Sequence, residues 1–111
     1  MTNFRELPEF SREFKRLNKK YPSLVEDLGR LQILLEQYPL GTGNNFSILQ
    51  KANEVTIIKS RLSCRSLRNH AIRVIYAYHE TSLTFLYIEI YFKGDKANED
   101  RARIVEYLKT L

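Results

Sequence analysis

The sequence predicts one α+β domain in which a helical hairpin and a short terminal helix hold a sheet. Three observations lead there. Residues 8–38 carry apolar side chains at alternating spacings of three and four, the signature of two amphipathic helices. The run from Val55 to Phe92 is rich in β-branched and aromatic residues that alternate with polar ones, as strands do. The last residues return to a helical period through Ile104, Leu108 and Leu111.

Thr2 to Leu7 is short enough for an edge strand. Pro8 suits a first helical turn. Phe10, Phe14, Leu17 and Tyr21 then mark one helix face, and Arg12, Lys15, Arg16, Lys19 and Lys20 the opposite one. Tyr21-Pro22 stops this helix, because a residue before proline disfavours the α region. Ser23 and Glu26 read as a capping box for a second helix. Its stripe is Leu24, Leu28, Leu31, Leu35 and Tyr38, and Pro39 and Gly41 end it. So short a connection makes the two helices antiparallel, and the later sheet supplies the surface their stripes need.

Leu40 to Asn53 reads as a loop, Val55 to Leu62 as a strand, Ser63 to Asn69 as a polar, basic connection. Ala71 to His79 and Leu83 to Phe92 are the next strands. A three-residue loop, Glu80-Thr81-Ser82, sets their register. Ala77 then opposes Phe85, Ile75 opposes Tyr87, Arg73 opposes Glu89 and Ala71 opposes Tyr91. One face becomes Ile72, Val74, Tyr76, Leu86, Ile88 and Ile90, apolar enough to cover the hairpin. The other carries Arg73, Glu89, Tyr91 and, beyond the strand, Lys93. Gly94 to Asn98 is a turn, with Asn98 as N-cap and Glu99 and Asp100 in the first turn of the last helix.

At 111 residues the chain is one domain, able to bury about two-thirds of its unfolded surface. Its 43% hydrophobic and 28% charged content is that of a globular protein. A single cysteine, Cys64, excludes an internal disulfide and fits a reducing compartment. MTNFRELPEF has no apolar h-region. The apolar run Leu83 to Phe92 is about half a membrane span and is interrupted by Glu89. The expectation is a cytoplasmic protein that does not enter membranes. Lys59, Arg61, Arg65, Arg68 and Arg73 fall together without an acidic residue, and they equal the whole net charge of +5. Such a stretch on a sheet is aimed at a polyanion.

The helical hairpin, the basic strand, Arg73-Val74-Ile75-Tyr76, the strand ending Ile88-Glu89-Ile90-Tyr91-Phe92-Lys93 and the terminal helix together resemble the RelE/ParE superfamily of toxin–antitoxin toxins. The segment from Phe14 to Leu24, FKRLNKKYPSL, resembles the first helix and turn of many members. The resemblance covers nearly the whole chain. It implies an antiparallel twisted sheet with an N-terminal helical hairpin packed on one face, and a cognate antitoxin as partner. RelE-like members cut messenger RNA in the ribosomal A site, whereas ParE-like members inhibit DNA gyrase.

RNA cleavage without a metal uses the ribose 2′-hydroxyl against the adjacent phosphate, and needs a base, cations on the phosphate and an acid for the leaving oxygen. The resemblance implies that Arg73 is a phosphate clamp and that Lys59 and Arg61 are the basic pair of the same cleft. Spacing by two puts this pair on one sheet face. Lys93 aligns with a basic residue after the last strand, as proton donor or phosphate contact, and Tyr91 is placed to stack on a base or support proton transfer. Arg65 and Arg68 read as solvated loop charges or RNA contacts. The family's tyrosine near the start of the terminal helix is replaced here by Asn98-Glu99-Asp100, so no general base is assigned. Arginine stays protonated and is a poor base. No His/Cys/Asp/Glu constellation has metal-ligand spacing, and no cofactor is expected. Plain structural readings stand beside these: an Arg73–Glu89 cross-strand pair, structural roles for His70 and His79, an unreactive Cys64 in a loop, a solvated basic face on the first helix, and packing roles for Tyr76 and Tyr78. As function, the expectation is a ribosome-dependent messenger-RNA endonuclease; the rivals are a gyrase inhibitor and a non-toxic relative that binds RNA or protein.

Overall fold

The computed structural model of the chain describes residues 2–67 and 69–111, those at 69 and 70 by their backbone. The expectations for Arg68 and for the His70 side chain lie outside the described residues. In order, the elements are β1 (Asn3–Glu6), α1 (Pro8–Lys20), α2 (Leu24–Gln37), β2 (Phe46–Ala52), β3 (Val55–Cys64), β4 (Asn69–His79), β5 (Thr84–Phe92) and α3 (Arg101–Lys109). The strands form one sheet in the order β1-β5-β4-β3-β2. It is antiparallel except at one edge, where β1 runs parallel to β5.

The hairpin of α1 and α2 covers one sheet face. Phe10, Leu17, Leu24, Leu31 and Leu35 are buried against Ile58, Leu62, Ile72, Val74, Tyr76 and Ile90. Each such fully buried side chain stabilises the fold by about 1.5–3 kcal/mol. Phe10 stacks on Tyr87 at 5.0 Å and Phe4 on Phe85 at 4.7 Å, so aromatic rings fasten α1 and β1 to the same strand. Tyr38 and Leu111, expected on apolar stripes, are 52% and 63% exposed. Both lie just past a helix end, where the stripe has already turned away from the core. Gly41 ends the hairpin at φ +82°, and a Cβ there would lie 2.1 Å from the Phe46 ring. Only glycine fits both conditions.

Four expectations are corrected. The segment from Leu40 to Asn53 is not all loop, because Phe46–Ala52 forms edge strand β2. The capping box is not made. Ser23 already has helical angles, and its hydroxyl donates to Asp27 at 2.7 Å while accepting from the Ser66 amide at 2.9 Å. These partners compete with the helix N-terminus for the one hydroxyl. Asn98 is not the N-cap of α3; Asp100 is, accepting from the Arg103 amide at 3.0 Å. Cys64 is fully buried at the end of β3, not in a loop.

The register of β4 and β5 is corrected as well. Four residues connect them, and His79 opposes Thr84. The loop ends at Leu83, at φ +51°. Tyr76 opposes Tyr87 and Ile75 opposes Glu89, so Ile88 is the extra residue of a bulge. The bulge resets the alternation. Phe85 and Tyr87 join the core under the hairpin, as does Ile90. Leu86 and Ile88, expected there, instead pack on the opposite face with Ile57, Ile75 and Ala77. That opposite face is a second core, covered by α3 through Ile104, Tyr107 and Leu108. Among the described residues no helix is long and apolar enough to cross a membrane.

Candidate nucleic-acid interface

Beside the second core, the same sheet face turns polar. β3 sends Ile58 and Leu62 under the hairpin, so Lys59 and Arg61, alternating with them, lie on the opposite face. The register completes a row across three strands: Arg61 opposes Arg73, and Arg73 opposes Tyr91. A second row runs from Lys59 through Ile75 to Glu89. The expected Arg73–Glu89 cross-strand pair is therefore replaced by Arg73 beside Tyr91, because the longer loop and the bulge shift β5.

Arg73 is only 7% exposed, and its guanidinium donates to the Ile72 carbonyl at 3.4 Å. Burial lowers its pKa, the like charge of Arg61 lowers it further, and Tyr91 opposes both. Tyr91 is 5% exposed. Burial pushes its phenol up to about 12, helped by the nearby carboxylates of Glu99 and Glu89. It is a neutral hydroxyl at neutral pH. Arg61 is exposed and is the cation of the row that solvent meets first.

Lys59 is engaged. Its ammonium lies 3.0 Å from Glu99 Oε1, and Glu99 Oε2 lies 3.4 Å from Arg101 Nε. Glu89 is 1% exposed. It pairs with Lys96 and accepts from the Asp100 amide at 2.7 Å. The Lys96 ammonium also stands 5.5 Å from the centre of the Tyr91 ring. Arg103 clamps the arrangement from α3, donating to both Glu13 oxygens at 2.9 and 2.8 Å and to the Ile88 carbonyl at 2.9 Å.

Lys59, Arg61, Arg73 and Tyr91 are thus brought together. Lys93 is exposed just past β5, its amide bonded to the Ala71 carbonyl at 2.8 Å. Arg65 is not brought to the row. Its amide donates to Asp27 at 3.3 Å and its guanidinium faces Glu26 at 3.6 Å, both on α2. Sequence reasoning missed Glu99, Lys96 and Arg101 as part of the site. It read Glu99 as an acid in the first turn of the last helix, whereas the side chain is buried ahead of that helix. The dense charge of Lys96 to Arg103 was the available signal.

No protein-family model matches the chain, and no curated protein matches it in sequence. In three dimensions it is similar to a chain of the archaeal RelE–RelB complex from Pyrococcus horikoshii OT3. The TM-score is 0.64 at 13% identity, over 84% of this chain and 96% of the other. The chain therefore has a RelE-like fold, with the hairpin on one sheet face and the cationic row on the other.

Proposed function

We propose that this chain is the toxin of a toxin–antitoxin pair, a metal-independent endoribonuclease that cuts messenger RNA on the ribosome in the cytoplasm and is neutralised by an antitoxin protein. The observation that carries the reading is the Arg61–Arg73–Tyr91 row on the sheet face opposite the hairpin of a RelE-like fold. In the reaction the 2′-hydroxyl loses its proton and its oxygen attacks the adjacent phosphorus. The P–O5′ bond breaks, leaving a 2′,3′-cyclic phosphate and a 5′-hydroxyl. Negative charge grows on the non-bridging oxygens, and fixed cations in a partly desolvated row stabilise it. Arg61 supplies the exposed contact and Arg73 the rigid charge beneath it. Tyr91 supplies a neutral hydroxyl, and Lys93, exposed just past β5, a further cation. The general base stays unassigned.

The test is cell-free translation with purified protein, mapping new 5′ ends on the message by primer extension. Wild-type protein produces cuts inside translated codons that require ribosomes. Arg73→Ala lowers cutting by roughly 100-fold or more, the loss typical of removing one transition-state charge contact, while a thermal melt shows it folded. Undiminished cutting by the folded variant overturns the assignment of Arg73. Absence of ribosome-dependent cuts overturns the nuclease reading.

One observation favours a second reading, a non-enzymatic inhibitor of DNA gyrase: Lys59 is held by Glu99, and no residue of the row is suited to act as base. That protein arrests growth through DNA-damage signals with translation intact, and its toxicity survives Arg73→Ala.

A further inference from the structure

Among the cations of the proposed RNA site sits the carboxylate of Glu99. The Glu99 side chain is 2% exposed, with Oε1 on Lys59 at 3.0 Å and Oε2 toward Arg101 at 3.4 Å. Two oxygens on two cations is also how a phosphodiester would be held. Burial pushes the Glu99 carboxyl up, but the Lys59 hydrogen bond and the charges of Lys59 and Arg101 outweigh it and hold it below the usual range. Glu99 is therefore an anion at neutral pH.

The segment that carries Glu99 is fastened by polar ties. Lys96 pairs with Glu89, the Asp100 amide donates to Glu89 at 2.7 Å, and Glu99 alone of residues 93–100 is buried. No apolar anchor of this segment enters either core. Ties of this kind exchange for other charged partners more readily than a packed apolar side chain does, because the released ions regain water.

We propose that residues 93–100, between β5 and α3, form a strap that inhibits the site by seating the Glu99 carboxylate on Lys59 and Arg101, and that a phosphodiester of single-stranded RNA displaces it. The proposal rests on the reading of the row as an RNA phosphate site. Lys59 is two residues from Arg61 on one strand face, so a backbone phosphate on Arg61 is brought toward the Glu99 charge. With Glu99 seated, like charges meet and Lys59 is not available. With Glu99 displaced, the repulsion is relieved and one more cation is added to the site.

The experiment is fluorescence anisotropy with a single-stranded oligoribonucleotide at two salt concentrations, comparing wild type, Arg61→Ala and Glu99→Gln. Glu99→Gln keeps the shape and removes the charge. It tightens binding about five- to tenfold, the effect of one unit charge removed at close range, and steepens the salt slope by roughly 0.7 for one added phosphate contact. Arg61→Ala weakens binding. If Arg61→Ala weakens binding and Glu99→Gln leaves it equal or weaker, the strap is wrong and the RNA site stands. If neither changes binding, both fall. Wild-type protein gives a readout independent of any variant's folding: hydrogen exchange at the Asp100 amide. Saturating RNA accelerates it several-fold when the strap lifts; unchanged or slowed exchange overturns the proposal.

Discussion

Arg73 and Tyr91 show what a sheet does to a side chain. On a loop each would be solvated; in the row each is at least nine-tenths buried. Burial makes Tyr91 a persistent hydrogen-bond donor and leaves Arg73 a charge with little water to screen it. Tyr87, on the other face, is a contrasting case. Its hydroxyl is buried and has no hydrogen-bond partner among the described residues, and burial raises its pKa strongly. The ring is held by Phe4 and Phe10, so packing rather than polarity justifies the position. Tyr87→Phe keeps the ring and removes the unpaired oxygen. Urea denaturation should show stability unchanged or raised by up to about 1 kcal/mol. A loss of more than about 1 kcal/mol would mean that the hydroxyl has a partner.

The elements differ in how plainly the sequence announces them. Both hairpin helices were legible because their stripes are long and periodic, and the prolines punctuate them. β2 was not: an edge strand buried on alternate faces only in part, with Ser47, Gln50 and Lys51 among its residues, carries little period. The β4–β5 register failed for two local reasons. A loop of four residues reads like one of three when Leu83 could belong to either side, and the bulge is silent because Tyr87 and Ile88 are both apolar. Alternation made the shared face legible for Lys59 and Arg61 and for Arg73 and Tyr91. That Arg73 opposes Tyr91 was not legible, because that pairing depends on the four-residue loop and the bulge. The site was also illegible where folding brings residue 99 onto residue 59, since no periodicity encodes that meeting. Leu83 also yields a test. A branched side chain at φ +51° is strained, and Leu83 is 43% exposed, so little packing is lost with it. Leu83→Gly should raise the denaturation midpoint, by roughly 0.5–1 kcal/mol of stability. A fall in the midpoint would show that the Leu83 side chain contributes more than its backbone strain costs.

For the whole molecule, charge and shape are divided between two faces. The hairpin face is closed by α1 and α2, whose outer surface exposes Arg12, Lys15, Arg16, Lys19 and Lys20. The opposite face holds the row, and excess positive charge is thereby spread over both sides of a chain carrying +5. A polyanion binds such a body largely through counterion release. Its affinity for single-stranded RNA should fall with salt at a log–log slope near −2, about three phosphates neutralised at roughly 0.7 each. A slope near zero would remove the electrostatic basis of the RNA reading.

The parallel seam between β1 and β5 bears on how the molecule is made. Asn3 pairs with Thr84 and Glu6 with Tyr87, so the earliest strand in the chain waits for the latest. Closing so long an interval costs entropy that rises only logarithmically with its length, yet such non-local pairing is slow to form. Tyr91 joins the row through the same strand. A nascent chain that stops short of Thr84 therefore has neither its parallel edge nor the third member of the row. Translation delivers both with β5, in one late step, so the row is completed only when most of the chain has been made.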